Sequence, residues 1–329
     1  MASNAPGKHF REGISLPQLF RMFPDDAAAE RWFTEQRWPK GPHCPHCGST
    51  NVLSGAKHKT MPYRCREKEC RKRFSVRTKT CMEASNLGFQ AWAIAIYQTT
   101  TCLKGISSMK LHRDLDITQK SAWHLGMRLR RALEDSGERV KFSEAEVDEI
   151  YIGGLEKNKH WNKKLRAGRG GVGKSIVAAA RDRETGKVVA QVVPDKKMET
   201  LQGFVKKHTT DDAIVYTDEL SSYVGLGEKG GRTHEAVCHS VGEYVRERAH
   251  TNGAESFWAT VERGYKGVFH KFSKKHLQKY IDEYAGKHNA RNRDTIDQMR
   301  GMFRRMIGRR LKYADLIEDN GLDNGARKA

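Results

Sequence analysis

Apolar side chains recur at helical spacing over Leu16, Leu19, Phe20 and Phe23, and again over Ala29, Trp32 and Phe33. The spacing predicts two short amphipathic helices, the second opened by Asp25 or Asp26 as its N-cap. After Trp38 the pattern changes to short alternating stretches, and two cysteine pairs fall within residues 39–80. Helical periodicity returns through LGFQAWAIAIYQTTTCLKG and ISSMKLHRDLDITQKSAWHLGMRLRRALE, then stops at the polar DSGER near 135–139. Inside this segment a short helix carries Met109, Leu111 and Leu115, a turn falls at LDIT, and Thr118 is placed to cap a second helix.

Past the boundary the elements change again. AEVDEIYIGG alternates as a strand, SIVAAARDRETGKVVAQVVPD folds back at DRETGK as a hairpin, and METLQGFVKKH is helical. DAIVYTDE and THEAVCHS are two further strands, NGAESFWATVERGYKG is a helix, and basic helices follow over about 274–290 and 294–310. Residues 1–15 and the last dozen residues have the composition of tails. The expected architecture is α/β and multidomain: a helical arm (1–38), a cysteine-rich module (39–80), a helical segment (85–138), a mixed-sheet domain (140–292) and a C-terminal helix with its tail (293–329).

At 329 residues the chain exceeds what one hydrophobic core usually supports, in keeping with that division. Lys and Arg number 60 against 40 Asp and Glu, a formal charge of +20, which calls for a polyanionic partner and puts nucleic acid first. No apolar run approaches the roughly 20 residues of a membrane span. The N-terminal MASNAPGKHFREG lacks the apolar stretch of a secretory signal. A soluble, cytoplasmic protein without a membrane partner is expected. Seven cysteines in such a chain suggest thiols and metal ligands, not a disulfide framework.

Four of them carry a specific pattern. Cys44-Pro-His-Cys47 and Cys65-Arg-Glu-Lys-Glu-Cys70 are two close pairs separated by a segment that can form a hairpin. Each pair can grip one side of a tetrahedral Zn2+, and a module this small would draw its folding energy from the metal, as a zinc ribbon does. His43, His46 and His58 are the alternative ligands nearby. Cys81, Cys102 and Cys238 suit ordinary buried thiols.

The helical segment from Gly105 to Leu133 is patterned as a helix-turn-helix. Ile106, Leu115, Ile117, Ala122, Trp123 and Leu125 would fill the angle between its helices. That leaves Gln119, Lys120, Ser121 and His124 on the early turns of the second helix, where side chains can enter a DNA major groove. Arg128, Arg130 and Arg131 are then candidates for phosphate contacts, against the plainer alternative of a solvated basic face.

Three acids are spaced for chemistry: Asp148 in a strand, Asp218 at the end of a buried strand, and Glu255 in the first turn of a helix. Carboxylates from two strands and a helix can hold a pair of Mg2+ or Mn2+ ions for phosphodiester chemistry. Their order along the chain is that of an RNase H-like nuclease core. Each has a plain alternative: Asp148 or Glu149 as a solvated edge charge, Asp218 opening a turn, and Glu255 closing a capping box on Asn252.

RWPKGPHCPHCGS, VDEIYIGG, GRGGVGKSIV, IVYTDELSSY, HTNGAESFWATVERG and FHKFSKKHLQKYIDEYAGKHNARN together resemble the zinc-ribbon transposases of bacterial insertion sequences with an ISXO-type DDE domain. The resemblance spans about residues 23–290. It implies an RNase H-like catalytic domain with Asp148, Asp218 and Glu255 as the metal-binding triad, and Asn252 as the competitor for the third place. Relatives frequently carry a lysine seven residues after the glutamate; here Glu262 stands there, with Arg263 beside it and Lys266 one turn on. Its implied partner is double-stranded DNA, both the terminal inverted repeats and the target, with at least a homodimer to bring two ends together.

GRGGVGKS, residues 168–175, also fits the phosphate-loop pattern letter for letter. That motif works only between a buried strand and a helix whose amides face the phosphates. Here a polar basic loop precedes it and a hairpin follows, so it reads as a Gly-rich loop. Lys157, Lys159, Lys163, Lys164, Arg166, Arg169 and Lys174 either track a DNA backbone or form a solvated face. The same residues leave two other functions open: a DNA-binding regulator with an inert core, and a nuclease that cuts without joining.

Overall fold

The computed structural model describes residues 11–134, 141–154, 156–165, 171–218, 220–227, 231–237 and 250–324. The chain is mixed α/β and divides into two compact units, Met1–Leu133 with Ala290–Glu318, and Glu134–Asn289 with Asp319–Ala329.

The first unit opens with α1 (Leu16–Met22) and α2 (Asp26–Arg37). Ser15 and Gln18 form a reciprocal capping box at the start of α1, and the Asp25 carboxylate accepts from the Ala28 amide at 2.7 Å to cap α2. A small antiparallel sheet follows, ordered β1 (Val52–Leu53), β2 (Tyr63–Cys65) and β3 (Arg73–Phe74). Next come α3 (Phe89–Thr101), α4 (Ser108–Leu115) and α5 (Gln119–Leu133). Asp116 ends α4 in the left-handed region at φ 49°, and the Thr118 hydroxyl accepts from the Ser121 amide at 3.2 Å to start α5.

The C-terminal helix, expected as a separate piece, lies inside this unit. Met299, Met302, Phe303 and Met306 of α9 (Thr295–Met306) repeat at helical spacing and are buried with Phe33, Trp92, Ile96, Leu125 and Leu129. The Phe33 and Phe303 ring centroids are 4.8 Å apart. The short α10 (Tyr313–Ile317) follows.

The second unit is built on a five-stranded sheet ordered β6-β5-β4-β7-β8. Its strands are β4 (Phe142–Ile152), β5 (Ser175–Asp182), β6 (Val188–Val193), β7 (Thr209–Asp218) and β8 (Thr233–Val237). β4, β5 and β6 pair antiparallel, whereas β7 runs parallel to β4 and β8 parallel to β7. The crossover between β6 and β7 is α6 (Met198–His208), whose Leu201, Phe204 and Val205 pack on Ala145, Val147, Ala213 and Val215.

Because strand side chains alternate, these odd-numbered residues define the α6 face, and Glu144, Glu146 and Asp148 lie on the other. That other face is met by α7 (Asn252–Gly264), which contacts β4 and β5 and runs into a π-helical turn at Tyr265–Phe269. Finally α8 (Leu277–Ala290) lies along β6, where Gln278 and Asn289 act as backbone mimics. Gln278 accepts from Val192 N at 2.7 Å and donates to Ala190 O at 3.1 Å; Asn289 does the same to Val188 N and O, at 2.7 and 2.9 Å. The otherwise open edge of the sheet is thereby closed to strand addition.

Candidate metal centre and active site

Cys44 and Cys47 sit on the turn before β1, Cys65 ends β2, and Cys70 lies on the turn leading to β3. The four sulfurs lie within 4.8 Å of one another, with Cys44 to Cys70 at 3.7 Å and Cys47 to Cys65 at 3.6 Å. A tetrahedral Zn2+ with bonds of about 2.3 Å requires sulfur separations of about 3.8 Å, so the donor set fits zinc in both chemistry and size. All four thiols are free, and the separations are far beyond a disulfide bond. Of the alternative ligands, His58 is engaged locally, its Nδ1 accepting from Met61 N at 3.2 Å. Trp38, Tyr63 and Phe74 back the cluster, with Tyr63 stacked on Phe74 at 5.5 Å.

In the second unit Glu146 pairs with Tyr216 across β4 and β7, and Asp148 and Asp218 each follow two residues on along their own strand. Glu255 enters from α7 above the same face. Burial pushes the Asp148 carboxyl up to about 7; Glu149, Asp218 and Glu255 push the same way, against the Glu149 amide that donates to Asp148 at 2.9 Å. The structure thus places Asp218 and Glu255 within electrostatic reach of Asp148.

The neighbour of Asp148 is not the solvated edge charge that the alternation allowed. β4 is the central strand, and Glu149 is half-buried on the α6 face, accepting from the Tyr223 hydroxyl at 3.0 Å. Burial, then Asp218, raise its carboxyl to about 7, while Tyr223 and Lys196 oppose the rise. Nor does Asn252 cap α7 with Glu255 closing a box. Thr251 is the N-cap and Asn252 the first helical residue, which moves Glu255 one position past the box; the Thr251 hydroxyl donates to Glu255 at 3.3 Å. Asn252 and Glu255, three apart, share one side of the helix, and both are exposed.

Sequence reasoning missed Glu146. This residue is wholly buried, accepts from Arg181 and Arg183, each at 3.2 Å, and takes the Ala254 amide of the first turn of α7 at 3.0 Å. Arg183 also donates to the His250 carbonyl at 2.8 Å. Gly253 makes the approach possible: a Cβ there would lie 2.2 Å from Arg181 Nη1 and 2.6 Å from Glu146 Oε2. The NGAE stretch is therefore shaped by a carboxylate two residues before Asp148 on the same strand face.

Among the DNA-contact candidates, Gln119 and Lys120 are exposed and Ser121 half-exposed on the first turn of α5. Lys120 lies over the Tyr313 ring at 4.7 Å, and the same ring meets His124 edge-on at 5.5 Å. Arg128 and Arg130 are buried, contrary to the expectation that they face phosphates; Arg128 Nε donates to His124 Nε2 at 3.1 Å. Burial, together with Arg128, lowers the His124 pKa, so its ring is neutral and able to accept. Residues 311–313 cover this flank of α5.

Lys164 is exposed, Lys174 half-exposed, and Lys163 belongs to the 3-10 turn Trp161–Lys163. Arg166 and Arg169 lie outside the described residues, as does Cys238. Ser175 begins a strand, β5, where a phosphate loop would need a helix. On α7, Arg263 is exposed, and Lys266 pairs with Glu262 at 2.6 Å.

These two sites coincide with two recognised domains. Residues 24–73 match the transposase zinc-ribbon domain and residues 143–289 the ISXO2-like transposase domain, together more than half of the chain. The chain belongs to the zinc-ribbon, ISXO2-like transposases. It is also 27% identical over 272 residues to an uncharacterized protein in the transposable element ISH50 of Halobacterium salinarum, covering 79% of this chain and 90% of that protein. No helix among the described residues is long and apolar enough to cross a membrane.

Proposed function

We propose that this transposase binds the ends of its element with the first unit, and cuts and joins DNA with the second, as an RNase H-like DDE enzyme. The observation that carries the reading is the shared sheet face of Asp148, Asp218 and Glu255, drawn from adjacent strands and the helix laid over them. Their hard oxygen donors suit Mg2+ or Mn2+. Two such ions, when bound, would activate the attacking oxygen and neutralise charge on the leaving one.

The chain's own part is positional. Paired strands hold Asp148 and Asp218 at fixed spacing, while Glu146 anchors the first turn of α7 and with it Glu255, or Asn252, as the third ligand. Tyr223 keeps Glu149 on the opposite face. In the first unit, α4 and α5 form a helix-turn-helix that offers Gln119, Lys120 and Ser121 to a major groove. Lys164, Lys174, Arg263 and Lys266 are phosphate contacts for the strand being cut. Cleavage frees a 3'-hydroxyl, which then attacks target DNA. Because two ends must be joined, the working form is at least a dimer.

The test is Mg2+-dependent cleavage of DNA fragments carrying the element ends. Asp148→Asn and Asp218→Asn should each lower the rate by about 10²-fold or more while leaving end binding intact. Glu255→Gln should match them if it is the third ligand, and Asn252→Ala should if that role is its own. Wild-type protein that binds ends but never cuts would make the chain a regulator; cutting without joined products would make it a nuclease.

A further inference from the structure

Of the chain's tryptophans, Trp161 alone among the described residues is largely exposed, at 69%. It sits in the loop between β4 and β5. Asp148 lies four residues before the end of β4, so the loop begins about 13 Å beyond it, at the end of the sheet where β7 also finishes with Asp218. Glu156 accepts from the Leu165 amide and pairs with Lys159, closing residues 156–165 on themselves. Gly173, at φ +74°, lets the returning chain pass close by: a Cβ there would lie 2.7 Å from Lys159 Nζ and 3.2 Å from Leu165 Cδ1. Trp161 and Leu165, 59% exposed, therefore project from a fixed base. Lys157 and Lys164 are exposed beside them, and Glu156 is the one acid in the sequence between residues 153 and 174.

We infer that Trp161 is a stacking platform for an unpaired nucleobase of the DNA strand entering the carboxylate face. An exposed indole in apolar company would suit a protein partner, but this one has His160 beside its ring and lies in a lysine-rich stretch of chain, which favours a polyanion with flat apolar faces. Bases in a duplex have those faces covered by their neighbours, so a stacked Trp161 requires a base that is extruded, frayed or at a strand end. The cutting reaction provides such bases next to the scissile phosphate.

This inference rests on the transposase reading, and the experiment separates the two. Full-length protein is titrated, without divalent ions, with a 30-base-pair duplex carrying one unpaired 2-aminopurine and with the same duplex fully paired. Trp161→Ala should bind the unpaired duplex about 5- to 150-fold more weakly, with Trp161→Phe recovering most of the loss and binding to the paired duplex nearly unchanged. The 2-aminopurine emission should be quenched by wild type and by Trp161→Phe, and not by Trp161→Ala. If wild type binds neither duplex, the nucleic-acid reading itself fails. If it binds both and Trp161→Ala behaves as wild type, the stacking assignment alone fails. A change in oligomeric state in Trp161→Ala without a change in affinity would make the residue a protein contact.

Discussion

Replacing Glu146 by alanine tests the link between the sheet and α7. The side chain is 1% exposed and joins Arg181, Arg183 and the Ala254 amide. Its removal takes the buried carboxylate from Arg181 and Arg183, whose side chains are only 22% and 12% exposed, although Arg183 keeps Glu144 and the His250 carbonyl, and it leaves a buried helix N–H without its acceptor. Breaking a buried pair from one side costs about 3–5 kcal/mol, of which the lost charged bond to the amide is about 1.5–3 kcal/mol. Spent on local opening of the first turn of α7, that cost accelerates amide exchange by about 150- to 5,000-fold. Hydrogen exchange read by mass spectrometry on peptides spanning residues 250–258 measures this directly, with the α6 peptides 198–208 as an internal control. Glu146→Gln keeps an acceptor for Ala254 and should fall between wild type and alanine. Wild-type exchange at 250–258 in Glu146→Ala would show that the carboxylate does not hold the helix, and equal acceleration in α6 would show general unfolding.

Two further outcomes follow from the sites. Asp148 titrates at about 7 in the folded chain against 3.8 in an unfolded one, so the native state binds the extra proton between those values. Its contribution to stability is full below about pH 4 and lost as pH rises through about 7; thermal melts without added magnesium should therefore fall across that window. Mg2+ should restore stability at pH 8 more than at pH 5, and Asp148→Asn should flatten both effects; an unchanged pH profile would contradict the crowding of these acids. Stripping zinc should unfold residues 39–80 and release one ion per chain, read with a metallochromic chelator, and Cys44→Ser should unfold the same segment; retained exchange protection there would argue against a structural metal.

How far the sequence reaches depends on how far apart the partners lie. Cys44, Cys47, Cys65 and Cys70 are legible because ligand spacing is local chemistry, and the strands around Asp148 and Asp218 because alternation is local geometry. Glu146 is illegible because its arginines lie 35 and 37 residues on and its helix amide 108 residues on. Nothing in AEVDEIYIGG distinguishes this buried acid from a solvated one. At the start of α7 the stronger N-cap former, Asn252, misleads by one position, because packing on Glu146 draws Thr251 into the cap instead. Arg128 looked solvent-facing because only its own helix was in view; Cys81, Glu83 and Arg310, which lie around it, are distant in sequence. In α9 the signal was present, since Met299, Met302, Phe303 and Met306 follow the helical period, but a period does not say whose core it fills.

The first unit takes its last core residues, Met302, Phe303 and Met306, from beyond the long stretch of the second unit, Glu134–Asn289. During synthesis at about 5–20 residues per second, the stretch from residue 133 to residue 306 takes about 10–35 s to emerge. Until then the half proposed to hold DNA is unfinished, whereas every strand of the sheet, with α6, α7 and α8, has already been made. Translation thereby imposes an order of synthesis, in which the sheet that carries the proposed cutting site precedes the last part of the proposed grip. An incomplete copy broken off near its 3' end would carry a folded sheet and no finished DNA-holding unit, which makes the last turns of α9 a checkpoint on whether the element's product can act at all.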